Sequence, residues 1–155
     1  MSPLSKQAPR SREFIGGADR THEIEKLRAG VLGTSLSTDE RFEAGSLGVK
    51  LYLMSKRDVL RNQALLRLKK FSAEDIEART RLITLWERQA VVLAEILDML
   101  CSGLQSQALF AEDAGKVGAA RLRARVDGLC NRWANTELQL RTYEAEIEDV
   151  MREAL

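Results

Sequence analysis

The chain has 155 residues, 45% apolar, 30% charged and 5% aromatic, with a formal net charge of +1. That length is enough for one ordinary domain with a real core, and the near-neutral balance gives no global case for nucleic acid or membrane. Both prolines, Pro3 and Pro9, fall in the first nine residues, and a Leu-, Ala-, Glu- and Arg-rich remainder argues for long helices against a β-sandwich or an α/β fold.

Residues 1–20 carry Ser, Pro, Arg and a Gly-Gly pair without periodicity and read as a disordered tail. Residues 1–12 are basic and free of acid; a transit peptide is one reading and a flexible tail the preferred one. No secretory h-region is expected, and no apolar run reaches the roughly 18 residues of a membrane span. An N-terminal helical segment is expected over 21–71. It opens with THEIEKLRAGVLG, where Ile24, Leu27 and Val31 keep helical spacing and Gly33 supplies a stop. STDE at 37–40 matches a capping box and predicts a helix from there towards Phe71, loosened at Gly45 and Gly48. SAED at 72–75 is a second cap.

The central helix, expected over 72–104, is the most hydrophobic. Ile83, Trp86, Ala90, Leu93, Leu97, Leu100 and Leu104 alternate three and four steps, and Leu82, Leu85, Gln89, Val92, Ile96 and Met99 follow one residue behind. Two adjacent stripes make a face wider than a two-stranded seam needs, so this helix should touch more than one neighbour. Between 101 and 115 the rhythm weakens, through glycines, and is either a stutter in one long helix or a turn. It resumes in a C-terminal coiled-coil helix over 112–155: Ala119, Leu122, Val126, Leu129, Trp133, Thr136, Leu140, Tyr143, Ile147, Val150 and Ala154. The expected class is all-α, with long helices forming an elongated coiled coil or a helical hairpin.

Residues 116–135 hold five bases and one acid, and residues 136–155 hold six acids and two bases. This gradient opposes the macrodipole, which favours acid at a helix N-terminus and base at its C-terminus. It does not help the helix alone, but it selects partners: an antiparallel copy, or a parallel helix whose gradient is reversed. The apolar seam supplies the binding and the charges bias orientation. Leu122, Val126, Leu129, Trp133, Leu140, Tyr143, Ile147 and Val150 are the candidate partner-binding set. Folding of this helix back onto the chain's own central helix is the competing, intramolecular reading.

Chemistry is sparse. His22 is the only histidine, so no nucleophile–base arrangement assembles away from it. Cys101 and Cys130 are too few and too distant in sequence to suggest a disulfide framework or zinc module, and read as partly buried reduced thiols. No P-loop, GxGxxG or CxxC occurs. No catalytic residue, cofactor, metal or small-molecule substrate is expected. The stretch 49–70, VKLYLMSKRDVLRNQALLRLKK, holds seven bases and one acid beside an apolar face. A basic amphipathic helix of this kind lies on anionic lipid or tracks a polyanion, so a weak membrane-surface contact through Lys50 to Lys70 is an alternative to a plain solvated face. Without aromatic interleaving it makes no case for nucleic acid.

Four stretches resemble the intraflagellar transport protein 20 family, a small coiled-coil subunit of transport complex B in cilia. EIEKLR at 23–28 looks like its N-terminal motif, and LAEILDML at 93–100 is similar to its central helix. GKVGAARLRARV at 115–126 and QLRTYEAEIE at 139–148 are similar to its later segments. The likeness covers under a third of the chain; the basic helix has no counterpart, and the spacing from Val126 to Gln139 is about a heptad short. The resemblance implies a non-enzymatic subunit that pairs with a larger coiled-coil protein through its C-terminal helix. It also implies a cytoplasmic protein of cilium and basal body, with Golgi-derived membrane cargo. The alternatives are a membrane-surface or polyanion adaptor using 49–70, and a self-contained helical bundle with regulatory contacts.

Overall fold

The computed structural model describes residues 19–33 and 35–154, which fold into five helices. These are α1 (Thr21–Leu32), α2 (Thr38–Leu68), α3 (Ala73–Asp113), α4 (Ala119–Ala134) and α5 (Thr136–Ala154). Of the tail expected over residues 1–20, residues 1–18 lie outside the described residues. The last two residues of that segment are not tail-like: Asp19 accepts from the Thr21 backbone N–H at 2.9 Å, and Arg20 is buried.

The caps form where the sequence places them. The Glu40 N–H donates to Ser37 Oγ at 3.1 Å, and the Ser37 N–H donates back to Glu40 Oε1 at 2.8 Å, starting α2. Ser72 Oγ accepts from the Asp75 N–H at 3.1 Å and starts α3. The α3 helix runs to Asp113 instead of stopping near 104, because Leu104, Ala108 and Ala111 extend its buried stripe and no Gly or Pro falls between Gly103 and Gly115. The weakened region then resolves as a turn, not a stutter. Gly115 and Gly118 sit at φ 64° and 86°, the left-handed region that a Cβ disfavours.

Past that turn the chain runs back along α3. Trp133 Nε1 donates to Asp98 Oδ1 at 2.8 Å, and Arg123 pairs with Glu112 at 2.7 Å, fixing α4 antiparallel to α3. The single C-terminal helix expected over 112–155 begins only at Ala119 and is broken at Asn135. There the Thr136 hydroxyl donates to the Trp133 carbonyl at 2.8 Å, a side-chain bond of the kind that competes with the helical ladder. Helical spacing survives the break, since the Gln139 N–H still reaches the Asn135 carbonyl at 3.1 Å.

At the centre lies α2, packed on α3 along its length and on α4 and α5 in turn. Phe42, Val49, Leu97, Leu104, Val126 and Leu129 join α2, α3 and α4 in one apolar cluster. Ile24, Leu27, Leu51, Leu93, Ile96 and Leu100 fasten α1 across α2 and α3 in a second. All seven residues of the leading α3 stripe are buried, with Trp86, Leu93, Leu97 and Leu104 fully so, and α3 touches α1, α2 and α4 as its double stripe requires. The Gly45 and Gly48 of α2 are approach points: a Cβ on Gly45 would meet Leu129 Cδ2 at 2.5 Å, and one on Gly48 would meet Leu97 Cδ2 at 3.0 Å.

The charge gradient finds its match inside the chain. Arg125 on α4 pairs with Asp39 at the start of α2 at 2.9 Å, Arg132 donates to Ser46 at 3.2 Å, and Arg67 near the end of α2 pairs with Glu148 of α5 at 3.0 Å. So α2 runs parallel to α4 and α5, acidic then basic, against their basic then acidic order. The chain's own α2 meets the description of a parallel partner with reversed gradient.

Candidate functional site

Seven of the eight seam residues sit on the faces that α4 and α5 turn inward. Val126, Leu129 and Leu140 are buried, and Leu122, Trp133, Tyr143 and Ile147 are half-buried. Val150 alone of the set is exposed. The Trp133 ring meets Tyr52 of α2 edge-on, with centroids 4.8 Å apart and planes at 86°, a favourable aromatic geometry. Tyr143 lies under the Arg57 guanidinium at 5.6 Å and accepts from Arg61 Nη1 at 3.5 Å. The basic side of α2 is thus partly engaged: Arg57, Arg61 and Arg67 all turn toward α5.

A buried polar cluster ties four segments together where α2 leaves its apolar middle. Asp58, 4% exposed, accepts from Arg20 at 2.5 Å through one carboxylate oxygen and from Arg61 through the other. The Asp58 carbonyl accepts from Asn62 Nδ2 at 2.8 Å, and Asn62 Oδ1 accepts from Arg79 Nη1 of α3 at 2.7 Å. The Arg79 guanidinium stacks 4.3 Å from the Phe71 ring; burial pulls its pKa down, and Asp75 partly counters that. Nε and Nη1 of Arg20 and Oγ of Ser55 are buried without a hydrogen-bond partner. Buried ions of this kind fix an arrangement at a cost in stability. The cluster positions α1, α3 and α5 around α2.

An open groove with a mainly apolar lining lies between α1 and α2. It is a cavity of about 500 Å³, with Leu27, Leu36, Ala44 and Leu47 as its apolar floor and Glu23, Glu40, Glu43 and Lys26 at its edges. Leu47 is 42% exposed, and Leu32 at the end of α1 is 58% exposed. Glu40 stays ionised further into acid than usual, chiefly because its carboxylate accepts from the Ser37 backbone N–H and next from the Ser37 hydroxyl. The rim is therefore acidic, three carboxylates against one ammonium. Periodicity did not reveal this groove; Leu36 stands before the cap and Leu47 lies off the main stripe of α2, so only their juxtaposition in space marks them.

His22 is exposed on α1. Among the described residues, no group of three or more His, Cys, Asp or Glu side chains is placed to hold a metal ion, and no helix is long and apolar enough to cross a membrane. No family model, curated protein or solved structure matches the chain.

Proposed function

We propose that the chain is a non-enzymatic interaction subunit whose α1–α2 groove holds a short amphipathic segment of a partner protein, with apolar anchors and basic flanks. The carrying observation is the groove itself, apolar in its floor and acidic at its rim. Its volume falls within the roughly 300–1,000 Å³ of pockets that hold ligands. Helix-in-groove recognition works this way: anchors at i and i+4 enter the apolar floor, and charge at the rim sets orientation.

A fluorescent helical peptide with leucines at i and i+4 and flanking lysines tests it, alongside the same peptide with glutamates for the lysines. The basic peptide is expected to bind at least tenfold more tightly, and Leu47→Asp to remove binding while the helical signal stays unchanged. Equal binding of both peptides, or full binding to Leu47→Asp, overturns the reading.

The second reading is a heteromeric coiled-coil subunit of the intraflagellar transport machinery, supporting cilium assembly. Its support is the sequence likeness at 23–28, 93–100, 115–126 and 139–148, together with Val150, the seam residue left 58% exposed. Pairing along the rest of the seam requires α4 and α5 to part from α2 and α3. A pull-down from ciliated cells separates the readings: Val150→Asp is expected to lose a coiled-coil partner here, and an unchanged partner list removes this reading.

A further inference from the structure

Antiparallel packing of α3 and α4 brings together two side chains far apart in sequence. The Trp133–Asp98 hydrogen bond at 2.8 Å sets the register. Three residues on along α3 from Asp98 is Cys101, and three residues back along α4 from Trp133 is Cys130, so the thiols occupy one rung. Both pack in the apolar cluster with Leu97, Leu104, Val126 and Leu129, Cys101 within it and Cys130 against it. Both are reduced; Cys101 is buried and Cys130 half-buried.

We infer that Cys101 and Cys130 form a reversible oxidation site that closes an intrachain disulfide and staples α3 to α4 when a peroxide reaches Cys130. The site is independent of the α1–α2 groove. Cys130 is the more accessible sulfur, and its thiolate attacks the peroxide. An S–O bond forms, the O–O bond breaks, and the departing hydroxide takes a proton to become water. Cys101 then attacks the Cys130 sulfenic sulfur. The S–S bond forms, the S–O bond breaks, and the second hydroxide leaves as water with the Cys101 proton. Two thiols supply two electrons and two hydrogens, and hydrogen peroxide is reduced to two waters. Burial foremost, then Cys130 and Asp98, push the Cys101 thiol up to about 12. It therefore stays protonated while Cys130 reacts first, the order that an exposed attacking and a buried resolving cysteine require. The bond would pin the hairpin that covers the seam.

Stoichiometric hydrogen peroxide on the full-length native chain tests this. The intact mass is expected to fall by two hydrogens, a non-reducing peptide map to join the Cys101 and Cys130 peptides, and dithiothreitol to reverse both. The urea midpoint of the oxidised form should rise. Cys101→Ala is expected to stop at a sulfenic acid trapped by dimedone, and Cys130→Ala to resist oxidation. The wild-type chain in denaturing urea should cross-link at least tenfold more slowly, which tests proximity without any variant. Over-oxidation of Cys130 without cross-linking, cross-links only between chains, or equal rates in native and unfolded chains would each overturn the assignment.

Discussion

Asp58 answers two arginines from one buried position, with Arg20 before α1 and Arg61 one turn further along α2. Removing its charge leaves the Arg20 guanidinium buried and uncompensated. Asp58→Asn is therefore expected to cost about 3–5 kcal/mol in urea unfolding, and replacing Asp58 and Arg20 together with apolar residues should cost less than the single change. The glycines divide by surroundings. Gly103 lies inside α3 with nothing within 4 Å of an added Cβ, so Gly103→Ala should raise stability by about 1 kcal/mol. Gly45→Leu drives a side chain into Leu129 and should lower it by about 1–3 kcal/mol. Spacing alone reads Gly45 as a loosening point in the helix. Composition cannot distinguish a glycine that weakens a helix from one that admits a neighbour's leucine; only the packing partner does.

Among the elements, both serine caps and the leading stripe of α3 were legible, because each is a local pattern: a hydroxyl three residues before an acid, or apolar residues on one face. The ends were less so. The length of α3 past 104 depends on Ala108 and Ala111, small residues that register weakly as hydrophobic yet are buried against neighbours. The break at Asn135 depends on the Thr136 hydroxyl reaching a carbonyl, which no apolar count detects. The α2 cap also titrates. The Glu40 pKa is lowered in the folded chain by its bonds to Ser37, so the unfolded state binds the proton first. Its contribution is present above the ordinary glutamate pKa and is lost as pH falls through the lower folded value. Urea midpoints between about pH 5 and about pH 3 should then fall more steeply for the wild type than for Ser37→Ala, whose box is already open. Parallel slopes would show that the box contributes nothing.

For the molecule as a whole, the spacing predicts one C-terminal helix with an apolar ridge and an inverted charge gradient, and leaves open what covers it. Periodicity reports that a face is buried, never against what. The answer required knowing that α2 carries the opposite gradient and runs parallel, and that two glycines at positive φ turn the chain back. The same turn hid the thiol pair, since an antiparallel return makes neighbours of residues that spacing alone keeps apart. One pair of substitutions decides whether the ridge is held inside the bundle. Leu140 is 7% exposed and Val150 is 58% exposed, on the same helix and in the same seam. A charge at Leu140 loses buried apolar contact and must be desolvated, so Leu140→Asp should cost at least about 3 kcal/mol. Val150→Asp meets solvent and should change stability by no more than about 0.5 kcal/mol. If a freely exposed ridge were the resting state, both substitutions would be mild. A steep loss at Leu140 with none at Val150 places α5 on α2 in solution, and makes any partner that reads the buried seam compete with α2 for it.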